Sequence, residues 1–147
     1  MIVTAHITID APRAKVWAAI ADIEHAAATV SGIKKIEIVD RPANGLVGLK
    51  WRETRILFDK PATVEKWITD AADNAFYTAK AVSDGFIFVS TKRLSESNGV
   101  TTLTDTHESL PQSLKARIMV IPMALFFKGV IRKAVMQDLN DFKASVE

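Results

Sequence analysis

The chain has 147 residues, 48% hydrophobic and 24% charged, with a formal net charge of +2. This is the make-up of one ordered globular domain and excludes a disordered chain or a broadly basic nucleic-acid binder. It contains no cysteine, which excludes disulfides, thiolate nucleophiles and cysteine-ligated zinc or iron–sulfur sites and fits a reducing compartment.

Met1-Ile2-Val3-Thr4 enters an alternating pattern at once, without the basic and apolar regions of a secretory signal, so the cytoplasm is the expected location. Residues 2–10 read as a first strand, with Val3, Ala5, Ile7 and Ile9 on one face. A helix follows at Pro12, whose missing N–H suits a first helical turn, and Val16, Trp17, Ile20 and Ile23 form its apolar stripe. Residues 22–31 read as a second short helix ending at Ser31-Gly32.

From Ile33 to Ser109 the apolar period falls from about 3.6 to 2. Turn signals recur at Asn44-Gly45, Asp59-Lys60-Pro61, Asp73-Asn74, Asp84-Gly85 and Asn98-Gly99. They predict strands over 33–41, 46–57, 61–69, 74–82, 86–95 and 100–109. Links this short demand antiparallel neighbours, because parallel strands need crossovers of about a dozen residues or more.

After Pro111 the helical period returns. Val120, Ala124, Phe127, Ile131, Val135, Leu139, Phe142 and Val146 make one stripe, with Lys128, Arg132 and Lys133 off it. Pro122 removes a backbone donor and crowds the preceding turn, so a kinked helix from about Ser113 is expected. The element order predicts a single α+β domain over 1–147. Its seven-stranded antiparallel curved sheet wraps around a C-terminal helix about 50 Å long, with two short helices between strands 1 and 2.

The sequence resembles the SRPBCC superfamily, which includes START-like, polyketide cyclase/dehydrase and birch-pollen-allergen-like proteins. The resemblance spans the whole chain. It is carried by Ile7-Thr8-Ile9-Asp10-Ala11-Pro12, then Val16-Trp17, Gly48, Trp51-Arg52-Glu53-Thr54-Arg55, Asn98-Gly99-Val100-Thr101 and Asp138-Leu139. These motifs are mainly structural. The resemblance implies a helix-grip fold with a hydrophobic cavity between sheet and C-terminal helix, and it carries over no universal catalytic residue.

Leu49, Trp51, Glu53 and Arg55 share one strand face, so an inward Trp51 brings both charges inward too. Such charges either pair with each other or grip an acidic ligand. Trp67, Tyr77 and Phe88 in the sheet and Met123, Phe127 and Ile131 in the last helix are the expected apolar contacts, with Thr104 and Thr106 as polar anchors. The alternatives are solid core for the aromatics and a solvated row for the threonines. Asp105 and His107 read as an exposed strand pair, with His107 as a proton-transfer base as the competing assignment. No metal-ligand spacing, nucleophile elbow, P-loop or dinucleotide fingerprint is present.

Residues 109–137 carry Lys115, Arg117, Lys128, Arg132 and Lys133 with no acid, beside the apolar run Ile118–Phe127. That run is about half a bilayer span, too short for a crossing. Ile121 and Leu125 fall off the core stripe and are read either as buried under the first helices or as a surface for transient membrane contact or a homodimer. The leading expectation is a carrier or binder of an apolar small molecule that needs no cofactor and contacts no nucleic acid. The alternatives are a cyclase or dehydratase using the same cavity, and an accessory domain working through the basic, apolar helix.

Overall fold

A computed structural model describes residues 1–147. Its strands are β1 (Ile2–Ile9), β2 (Ile33–Asp40), β3 (Lys50–Leu57), β4 (Lys60–Ala72), β5 (Phe76–Ser83), β6 (Phe86–Ser97) and β7 (Val100–Pro111). They form one antiparallel sheet in the order β1-β7-β6-β5-β4-β3-β2. The expected meander is therefore present, and β7 returns beside β1.

The tight links follow from local turn chemistry. Asp84-Gly85 and Asn98-Gly99 hold positive φ at both turn residues, the conformation that two-residue hairpins require and that Asn, Asp and Gly tolerate. Asn44-Gly45 does not make such a hairpin. Residues 41–49 form an irregular loop and β3 begins at Lys50 rather than at 46. The end of the loop still joins the sheet beside β4, since the Gly48 amide donates to the Ile68 carbonyl and the Ile68 amide to the Leu49 carbonyl, each at 2.9 Å.

Between β1 and β2 lie α1 (Arg13–Ala21), a 3₁₀ turn (Ile23–His25) and α2 (Ala26–Thr29). The C-terminal helix starts where expected, with the Ser113 hydroxyl accepting from the Ala116 amide at 3.1 Å. It runs as α3 (Leu114–Pro122), a π-helical turn (Met123–Phe127) and α4 (Lys128–Val146). The π turn directly follows Pro122, which cannot donate to the preceding turn, so one extra residue is taken into the coil there.

Packing is uneven along this helix. Val135, Leu139, Phe142 and Val146 are buried against Ile9, Val16, Ile20 and Leu103. The upper part of the predicted stripe is not a core seam: Ala124 and Phe127 are exposed and Val120 is half-buried. The sheet curves away from this end, and the space between them is the cavity described next.

Candidate functional site

The inward residues of each strand are set by its most buried members. In β3, Trp51 and Glu53 are buried and Arg55 follows in the same parity. Directly opposite on β4, Lys66 faces Trp51 and Val64 faces Glu53. Tyr77, Ala79 and Ala81 of β5 are buried. In β7, Thr101, Leu103 and Asp105 are fully enclosed, which turns His107 and Ser109 inward as well.

These positions converge on two charge clusters. The Glu53 carboxylate accepts from Trp51 Nε1 at 3.3 Å, Arg55 Nε at 2.8 Å and Lys66 Nζ at 2.9 Å. Arg55 then grips Asp138 of α4 with two parallel bonds, Nη1 to Oδ1 at 3.2 Å and Nη2 to Oδ2 at 2.7 Å. Burial pushes the Glu53 carboxyl up, but the Lys66 and Arg55 charges outweigh it and hold the group below the ordinary carboxylate range. Burial likewise pulls the Arg55 guanidinium down, and its bonds to Asp138 and Glu53 more than compensate. A Cβ at Gly32 would stand 3.1 Å from Arg55 Nη1, so the bare backbone there gives the guanidinium its seat.

The second cluster is Lys92, Asp105 and His107. Asp105 is 1% exposed, with Lys92 Nζ 3.1 Å from Oδ2 and His107 Nε2 3.1 Å from Oδ1. The His107 contact is off hydrogen-bond geometry and leaves Oδ1 without a bonded partner. Burial pushes Asp105 up, and Lys92 followed by His107 brings it below its ordinary value. Lys92 is raised, because Asp105 outweighs the burial that disfavours its charge. Tyr77 lies beside this cluster, where burial pushes its phenol up and its hydroxyl donates to the Ile20 carbonyl at 3.3 Å.

Around these charges the interior is nearly filled, with a void of only ≈ 50 Å³. Beyond them it widens. A chamber of ≈ 210 Å³ lies among Ala79, Ala81, Phe88, Ser90, Met123 and Ile131. A groove of ≈ 470 Å³ opens between the β3–β4 hairpin and the helix, walled by Leu57, Phe58, Phe127, Val130 and Ile131. Another of ≈ 610 Å³ runs beneath α3 past Phe86, Phe88, Met119 and Met123. Lys66 and His107 line the filled end, the chamber and the mouth groove alike, so they stand where the three meet. Apart from Glu53, Lys66 Nζ has no hydrogen-bond partner, and the His107 ring has none.

Of the residues expected at the site, Trp51, Glu53, Arg55, Tyr77, Phe88, Met123, Phe127 and Ile131 all reach these walls. Glu53 and Arg55 are committed to each other, to Lys66 and to Asp138, rather than left free for a ligand. Trp67 is a correction. It lies on the outer face opposite Lys50, whose Nζ is 6.0 Å from its ring centroid, because Lys66 and Ile68 take the inward places. Thr104 and Thr106 are also corrected: they are outward, with the Thr106 and Thr4 hydroxyls 3.4 Å apart, because the enclosed Leu103 and Asp105 fix the opposite parity. Asp105 and His107, read as an exposed pair, are the inward ones. Lys66 and Lys92 were missed because a lysine in a strand reads as solvent-facing unless its buried partner is known. No three His, Asp or Glu side chains converge as metal ligands.

The sequence profile of the family described as polyketide cyclase / dehydrase and lipid transport matches residues 1–147. No curated protein matches the sequence. Among solved structures, the chain is similar to TTHA0849 from Thermus thermophilus, with a TM-score of 0.81, 15% identity and coverage of 99% of this chain and 97% of that one. It is similar to the Zhui aromatase/cyclase from Streptomyces sp. R1128, with a TM-score of 0.80, 16% identity and coverage of 99% and 93%. A START superfamily protein from Mycobacterium smegmatis superposes with a TM-score of 0.78 at 14% identity, covering 99% and 96%. At these identities the likeness is one of fold.

Proposed function

The chain belongs to the polyketide cyclase/dehydrase and lipid-transport family, and from that premise we propose that it binds and carries a hydrophobic small molecule between sheet and C-terminal helix. The observation that carries this reading is the apolar chamber and mouth groove ending on Lys66 and His107. Its volume is of the size that holds a small ligand, and walls of Ala, Phe, Met and Ile reward apolar contact. Each ligand CH₂ buried there contributes roughly 0.8 kcal/mol. The formal charges of Glu53, Asp138 and Asp105 are balanced by Arg55, Lys66 and Lys92. Lys66 keeps two unused donors, so the ligand class that fits is an apolar body with one acidic or polar group directed at Lys66 and His107.

Native mass spectrometry of freshly purified protein, followed by solvent extraction, tests the reading. A stoichiometric apolar adduct, or uptake of a fatty acid that Ala81→Phe prevents by filling the chamber, is the expected result. A clean apo mass with no uptake of fatty acids or aromatic polyketide mimics overturns it.

One observation favours a second reading, that of a cyclase or dehydratase. His107 faces the cavity with the buried Asp105 carboxylate behind it at 3.1 Å, an arrangement able to move a proton at a bound carbonyl compound. Under that reading a poly-β-ketone mimic loses one water during incubation, and His107→Ala stops the loss in protein that still takes up the mimic at saturating concentration.

A further inference from the structure

The cavity mouth is surrounded by apolar side chains that face solvent. Phe58 is 74% exposed at the tip of the β3–β4 hairpin, and Leu125 and Phe126 are 74% and 72% exposed on the helix. Phe58 and Phe127 meet edge to face with centroids 6.0 Å apart, so hairpin tip and helix form one continuous rim. Leu114, Ile118 and Ile121 extend the exposed row along α3. Phe58 also holds a φ of 51°, where glycine or asparagine is favoured, so the turn itself gives no reason for a phenylalanine.

The charges on the helix side of this rim are of one sign. Lys115, Arg117, Lys128, Arg132 and Lys133 are all exposed, and residues 109–137 contain no acid. The nearest hairpin acid is Asp59, followed by the exposed Lys60. Apolar tips flanked by basic residues match a bilayer interface whose headgroups are anionic, with the tips in the acyl boundary and the cations at the phosphates. No helix is long and apolar enough to cross a membrane, so the contact is peripheral.

We propose that the rim formed by the β3–β4 hairpin tip and the helix over 114–132 docks on an anionic lipid surface, turning the cavity mouth toward the bilayer. The geometry gives an apolar ligand a path into the groove that avoids water. This use rests on the cavity reading, but vesicle binding does not: it can be measured with no ligand present, and ligand uptake can be measured with no vesicle.

The test is co-sedimentation of the full chain with phosphatidylcholine vesicles, with and without phosphatidylserine. Binding should require the anionic lipid and weaken as salt rises and the screening length shortens. Lys128→Glu with Arg132→Glu should weaken it at least about 25-fold, at roughly fivefold per basic residue lost. Leu125→Asp with Phe126→Asp should abolish it, and both double variants should keep the wild-type circular dichroism and vesicle-free fatty-acid uptake. Absence of co-sedimentation at low salt overturns the proposal. So does binding to neutral vesicles that charge reversal leaves unchanged. A stable dimer that Leu125→Asp with Phe126→Asp dissociates, without vesicle binding, also overturns it and assigns the face to a second copy.

Discussion

The two ends of the C-terminal helix carry the same kind of apolar residue and meet opposite fates. In α4, Leu139 is 0% exposed among the side chains of β1, α1 and β7, whereas Leu125, fourteen positions earlier, is 74% exposed. The packed end anchors the fold. The open end lies over a sheet that has curved away, and the charge clusters sit at the boundary between them. Helical periodicity alone therefore does not decide burial. A partner surface must also be within reach, and at the mouth it is withdrawn, leaving the groove between hairpin and helix open.

The largest effect is expected at that boundary. Glu53→Ala leaves Lys66 without its hydrogen-bond partner beside Arg55, which keeps only Asp138, and should cost about 3–5 kcal/mol, read from the urea midpoint at unchanged slope. A loss below about 1 kcal/mol would mean that Asp138 suffices for Arg55 and that water, not Glu53, satisfies Lys66. Leu139→Ala in the packed end should cost about 2–5 kcal/mol through lost transfer energy and an unfilled cavity.

Acid should weaken the same boundary. Glu53 and Asp105 are held below their ordinary values in the folded chain, so the unfolded chain takes up protons first as pH falls. Their contribution is thus complete above the ordinary carboxylate range and is lost progressively below about pH 5. Urea titrations between pH 7 and pH 3 should show stability falling by about 2 kcal/mol. Glu53→Gln, which has already lost its share, should show a shallower fall. An equally steep fall in that variant would place the acid sensitivity elsewhere. Ser113→Ala removes the hydroxyl that accepts the Ala116 amide at the start of α3 and should cost about 1 kcal/mol.

Much of this frame was legible in residue order. Asp84-Gly85 and Asn98-Gly99 specify their turns through local backbone preference, and Ser113 marks the helix start, because each depends on neighbours within a few positions. Site parity was legible along β3, where Trp51, with Leu49 just ahead of the strand, carries Glu53 and Arg55 inward. It failed where polarity was taken to mean exposure. Lys66 faces inward because Glu53, on the neighbouring strand, accepts from it, and Arg55 is held by Asp138, 83 residues away. Pairings of that span are set by the closed sheet and the helix laid across it, so Trp67, Thr104 and Thr106 were assigned inward places that Lys66, Asp105 and His107 occupy.

The smallest effect is the most direct test of the contrast between the two ends. Leu125→Ala makes the same chemical change as Leu139→Ala, in the same helix. At the open end it removes no packed contact and slightly favours the helix, so stability should stay within about 0.5 kcal/mol of wild type. If the change is instead binding to anionic vesicles, weakened in Leu125→Ala at unaltered stability, the exposed leucine acts on a lipid surface rather than on the fold. A loss of 2 kcal/mol or more would mean that α3 and the π turn close over the cavity in solution, making the open mouth a minor state that a ligand or membrane must select.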